Sequence, residues 1–186
     1  MKEVDNILRI LKETRQAIEE KDSYKIKKLS NQTIHAATIS QDADNIIVAV
    51  LVYSISKIVE REQYKDMKGW KQFYQSLINN LDLAISSLKA NNIEKCRQAL
   101  GKIREAVNQI SSDLGIYIEQ VFRKAQINKA ARIYEHGLSA GRTANLLGIS
   151  LWELAGYIGN SSVSEIKKVT GIPVKKRIKY AEDFFK

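Results

Sequence analysis

Asn31, Gln32, His35, Asp42 and Asp44 form a polar set that suggests an acid–base or metal site in this 186-residue chain. A histidine beside carboxylates can move protons or ligate a metal. His35 has no second histidine near it in sequence, however, and a lone histidine is far more often structural. Asp42 and Asp44 fit better as caps of the apolar helix that follows, where their charge meets the positive end of the helix dipole. No P-loop, GxGxxG, nucleophile elbow or metal-ligand spacing occurs. Cys96 is the only cysteine, so neither an internal disulfide nor a cysteine zinc site can form. The expectation is a protein that is not an enzyme and takes no cofactor and no metal.

The second chemistry is anion binding. Residues 139–159 read SAGRTANLLGISLWELAGYIG. Gly148 can take the left-handed turn that joins two short helices. Ala144, four positions earlier, is small enough for the helices to touch. Leu147 and Ile149 flank the turn, and Leu154 and Tyr157 fall at anchor spacing on the second helix. Ser150 with Glu153 makes a capping box. This pattern resembles a helix-turn-helix, with Thr143 at a position that is more often apolar. The second helix offers no Arg, Lys, Asn or Gln before Asn160, the residue types that usually read base edges. Trp152 and Glu153 are then nearest the bases, and Arg142 and Ser150 nearest the phosphates. The competing reading is a corner, or a protein contact made by Trp152.

Charge supports an anionic partner at this end. Residues 1–120 hold 18 basic and 16 acidic side chains, whereas residues 121–186 hold 12 and 5. Lys167, Lys168, Lys175, Lys176, Arg177 and Lys179 carry much of that excess. Four of them sit on the N-terminal half of an expected last helix that begins near Pro173, where cations oppose the helix dipole. They read as a phosphate clamp or as a solvated helix face.

Two resemblances follow from these residues. Ala131, Tyr134, Gly137, Ser139, Gly141, Ala144, Gly148, Ile149, Ser150, Trp152 and Glu153 make residues 125–160 similar to small prokaryotic antitoxins and to archaeal proteins with the same C-terminal layout. That resemblance implies DNA binding, with autoregulation beside a toxin-binding tail. The stretch from Leu29 to Glu60 resembles HEPN-like helical domains. Catalytic members carry an Arg and a His with four to six residues between them. Here the nearest arginine upstream of His35 is Arg15, and His136 follows Arg132 too closely.

The elements that must position these residues are helical throughout. Val4, Ile7, Leu8, Leu11 and Ile18 share one face of a helix over 2–20. A second helix runs from the Asp22–Ser23 cap to about Thr38, and an apolar helix follows over about 43–60. Its run from Ile46 to Val59 contains Ser54, Ser56 and Lys57 and is short of the roughly 20 apolar residues of a membrane span. Met67, Trp70, Tyr74, Leu77, Leu81, Ala84 and Leu88 form one 3-4 stripe. Ile93, Cys96, Leu100, Ile103, Val107, Ile110, Leu114, Tyr117 and Val121 form another after the Asn91–Asn92 turn. The two helices pack as a hairpin, with packing inside the chain favoured over a dimer seam. Gly101 and Gly115 weaken the second of them, and Gly115 can mark a break. No internal repeat is visible beyond the heptad spacing.

The reading is therefore all-α: a helical bundle over 1–120 for assembly or partner binding, and a basic helix-turn-helix unit over 121–186. The expected function is a cytoplasmic DNA-binding regulator of antitoxin-like type; the alternatives are an RNA- or ribosome-associated protein, which the base-poor second helix fits as well, or a module that binds a toxin or other protein. A homodimer is allowed, and no membrane partner is expected.

Overall fold

The structure, a computed structural model, describes residues 1, 3–40, 42–109 and 112–164, with side chains at 37–40, 107–108 and 160–164 left aside. Among these residues the fold is all-α, with no strand. In chain order the helices are α1 (Val4–Glu19), α2 (Ser23–Ser40), α3 (Ala43–Val59), α4 (Trp70–Lys89), α5 (Ile93–Asn108), α6 (Asp113–Glu135), α7 (Ala140–Leu147) and α8 (Leu151–Ser164). A 3-10 turn over Glu62–Asp66 links α3 to α4.

The larger core is built from α1 to α6. Ile7, Leu11 and Ile18 of α1, Val52 and Ile55 of α3, and Leu77 and Leu81 of α4 are all buried in it. Burial of such side chains, at about 25 cal/mol per Å² of apolar surface, is the main force that assembles the bundle. A smaller core joins Ile34, Ile46 and Ala49 to Ala130, Ile133, Ala144 and Leu154. The bundle thus contributes α2 and α3 to the packing of α7 and α8. The expected boundary near residue 120 falls inside α6, which runs unbroken from Asp113 to Glu135.

Two sequence expectations are corrected. The helix expected to run from 93 to 121 is divided, since α5 ends at Asn108 and α6 starts at Asp113. Gly115 is not itself the break; its amide donates to Ser112 O at 2.9 Å in the first turn of α6.

The structure also shows a repeat that residue identities hide. Helices α1–α2–α3 and α4–α5–α6 match in register: Glu19 pairs with Lys89, Ser23 with Ile93 and Ala43 with Asp113 as helix ends and starts. The turns match in detail. Lys21 and Asn91 are the two non-glycine residues with positive φ among those described, at 55° and 53°. Asp22 N donates to Ala17 O at 2.9 Å, and Asn92 N to Ser87 O at 2.8 Å, the long-range bond of a Schellman motif. Each next helix is capped alike, with Lys25 N on Asp22 Oδ1 and Lys95 N on Asn92 Oδ1. Buried positions follow, as with Ile7 and Leu77, Leu11 and Leu81, Ile26 and Cys96, Val48 and Ile118. The packing is not symmetrical, because α2 lies along α3 far more than α5 lies along α6.

Candidate nucleic-acid interface

Ser139 caps α7, its side chain accepting from Arg142 N at 3.3 Å. Gly148 ends α7 at φ 62° and ψ 35°, and Ile149 N donates back to Ala144 O at 3.1 Å. That left-handed residue turns the chain into α8 at no steric cost because glycine has no Cβ. Ala144, Leu147, Ile149 and Leu154 are buried where α7, α8 and α6 meet. Thr143 is fully buried, and its hydroxyl has no hydrogen-bond partner among the described residues. Tyr157 differs from its expected role as an apolar anchor. It is 36% exposed and its hydroxyl accepts from Asn128 Nδ2 of α6 at 2.9 Å. Ile158 packs against the smaller core in its place.

The capping box forms as expected. Ser150 N donates to Glu153 Oε2 at 2.9 Å, and Glu153 N to Ser150 Oγ at 3.2 Å. A third partner was not legible in the sequence: Arg123 of α6 donates Nε to Glu153 Oε1 at 3.0 Å, and its Nη2 contacts the same oxygen. Hydrogen bonds from Ser150, then the Arg123 guanidinium, lower the Glu153 carboxyl to about 2. Glu153 is therefore committed inside the protein, where it fastens α8 to α6, and it is not held ready for a base edge. Ser150 is engaged in the same box.

The outer side of α8 presents Leu151, Trp152, Ala155 and Gly156, all exposed, and Trp152 is 87% exposed. This surface carries no charge. Arg142 is exposed on the neighbouring α7. Lys167, Lys168, Lys175, Lys176, Arg177 and Lys179 lie outside the described residues.

Beside α8 runs a groove of roughly 390 Å³ lined by Tyr53, Lys57 and Arg61 of α3, Lys124 and Asn128 of α6, and Tyr157 of α8. Lys57 Nζ is 2.6 Å from Glu60. Lys124 is exposed and has no carboxylate partner among the described residues. Three cations and two tyrosines on one groove suit a phosphate chain with stacked bases. The sequence did not announce this set, because α3 and α6 meet only on folding.

Behind the groove, Lys129 is wholly buried. Its Nζ donates to Asn31 Oδ1 at 2.9 Å and lies 4.2 Å from the centre of the Tyr53 ring. Burial first, then repulsion from Arg132 and Lys27, pushes its ammonium down to about 7.

The polar set of the N-terminal half is divided: Asn31, Gln32 and His35 line one cavity with Arg9 and Lys28, and Asp42 and Asp44 serve elsewhere. Asp42 caps α3, accepting from Asp44 N at 3.2 Å. Asp44 instead receives Arg97 through Nε at 2.9 Å and Nη2 at 2.8 Å, and that pair holds its carboxyl below the ordinary value. His35 does have a histidine neighbour in space: the His136 ring stands edge-on to it at 5.8 Å. No cluster of three or more metal-ligating side chains occurs among the described residues. No described helix is long and apolar enough to cross a membrane. No protein-family model matches the chain, and no curated protein or solved structure matches it either.

Proposed function

We propose that this protein binds nucleic acid, duplex DNA first, through the α7–α8 corner and the cationic groove at its side. The observation that carries the reading is their adjacency: Tyr157 of α8 lines the same groove as Lys57, Arg61 and Lys124. A helix-turn-helix of this kind lays its second helix in the major groove while neighbouring cations take the backbone. With Leu151, Trp152, Ala155 and Gly156 as its outer side chains, α8 offers apolar contact to thymine methyls and few hydrogen bonds. Binding is then dominated by phosphates, with shallow sequence preference and steep salt dependence. A cytoplasmic regulator of antitoxin-like type, working as a dimer, is the biological form of this reading.

The test is equilibrium binding to duplex DNA and to structured RNA across a salt series. Lys57→Ala and Lys124→Ala should each weaken DNA binding on every sequence and reduce the log–log salt slope by about 1. Unchanged slopes would remove the groove from the interface, and tighter RNA binding would replace DNA as the ligand.

One observation favours a second reading, a protein partner. Trp152 is 87% exposed on an uncharged helix face, and exposed aromatics of this kind anchor protein interfaces. Such a partner would remain bound in high salt, where a phosphate-driven complex dissociates.

A further inference from the structure

The cationic groove beside α8 offers more than a phosphate backbone requires. It holds about 390 Å³ between Tyr53 of α3 and Tyr157 of α8, with Lys57, Arg61, Lys124 and Asn128 around them. That volume is in the range of small-ligand clefts. Backbone contacts to a duplex need cations and small polar groups, because the paired bases stay stacked inside the helix. Aromatic walls serve a nucleic acid best where a base has left the stack and offers its face.

Both rings are held in place by the protein itself. The Lys129 ammonium lies 4.2 Å from the centre of the Tyr53 ring, and Lys57 Nζ lies 6.0 Å from it. The Tyr157 hydroxyl accepts from Asn128 Nδ2 at 2.9 Å. Burial raises the Tyr53 phenol above its ordinary value, so that ring stays neutral. Rings already in position lose little freedom when a base stacks on them. The cations differ in their engagement. Lys57 is paired with Glu60 at 2.6 Å. Arg61 lies over the Tyr64 ring at 5.7 Å, and neither it nor Lys124 makes an ion pair among the described residues. A phosphate in the groove therefore meets two cations that no carboxylate engages.

We propose that this groove takes one unpaired nucleotide, its base stacked against Tyr53 and Tyr157 and its phosphate held by Arg61 and Lys124. The preferred ligand is then duplex DNA with a single-stranded end. The duplex lies along α8, and the first unpaired nucleotide turns into the groove, which α8 itself borders through Tyr157. This inference rests on the reading of α7–α8 as a duplex-binding corner and names the form of DNA: a junction of double and single strand. Stacking tolerates any base, since every base has a face. The preference is therefore for structure over sequence, which suits an α8 whose outer side chains are Leu151, Trp152, Ala155 and Gly156.

The experiment measures equilibrium binding of the full chain to three labelled DNAs. One is a blunt duplex, one is the same duplex with a short single-stranded end, and one carries that end as abasic sites, which keep every phosphate and remove the bases. The natural single-stranded end should tighten binding by about tenfold or more over the blunt duplex, the gain expected of one stacked base, and the abasic end should lose most of that gain. Tyr157→Leu, at a partly exposed position, should abolish the gain and leave affinity for the blunt duplex little changed. Tyr157→Phe should keep it, because the ring still stacks; helical circular dichroism checks that both variants fold. Equal binding of the blunt and single-stranded-ended duplexes, or an abasic end bound as tightly as the natural one, would overturn the unpaired-nucleotide site and leave duplex binding standing. Failure to bind any of the three would overturn the duplex reading and this inference with it.

Discussion

Arg123 of α6 and Glu153 of α8 are joined through Nε and Oε1 at 3.0 Å, and the same carboxylate closes the capping box with Ser150. One side chain thus starts α8 and fixes its position on the rest of the protein. Ser150→Ala should cost about 1 kcal/mol of stability and lower Tm by roughly 2–4 °C, read by thermal melts. The Glu153 contribution has a defined pH window. Its carboxyl is lowered to about 2 in the folded protein, so the stabilisation is full above the ordinary carboxylate pKa and is lost as pH falls through about 2. Melts of Glu153→Gln between pH 6 and acid should lack that component of the wild-type decline.

Trp152 reports directly on what α8 touches. In a Trp70→Phe background its emission should be that of a solvated indole, and duplex DNA should quench it. Trp152→Ala should weaken DNA binding by about fivefold or more, as expected for an interface aromatic. DNA binding that alters neither the emission nor the affinity would leave this face to a protein partner.

Lys129 should make stability depend on pH in the same direction as Glu153, but in a neutral-to-alkaline interval rather than an acidic one. Its folded pKa is about 7 against an ordinary 10.5. Between these values the unfolded chain binds a proton that the folded chain does not, so stability rises with pH across that interval. Urea melts from pH 6 to 9 should show this rise. Lys129→Met should flatten it and stabilise the protein near pH 7 by on the order of a few kcal/mol, since the buried ammonium has Asn31 and the Tyr53 ring but no carboxylate among the described residues. A variant less stable than wild type at pH 7 would show that the ammonium is better held than its burial implies.

Thr143→Val replaces an unsatisfied buried hydroxyl with a methyl group of similar volume. The exchange should raise stability by about 1 kcal/mol, measured by denaturant titration.

The helical class, most helix starts and the α7–α8 corner were legible in the sequence, because 3.6-residue periodicity, Gly148 and the Ser150–Glu153 spacing are local signals. The repeat was not, since it lives in backbone angles at Lys21 and Asn91 and in burial, with little shared identity. The division between α5 and α6 was missed because the apolar spacing continues across it. Tyr157 was misplaced because a tyrosine at anchor spacing can equally lie along a groove with its hydroxyl on Asn128. Arg123, Lys57 and Lys124 gave no signal, since their partners and neighbours come from distant parts of the chain.

Ile34, Ile46 and Ala49 belong to the same small core as Ala144 and Leu154. A fragment beginning at residue 121 would carry α7 and α8 away from part of the surface that buries them. Transplanting this corner onto another scaffold therefore requires α2 and α3 as well. Inheritance should obey the same limit: the corner and its three supporting helices travel as one piece, and shuffling between relatives is tolerated only at joints that keep them together.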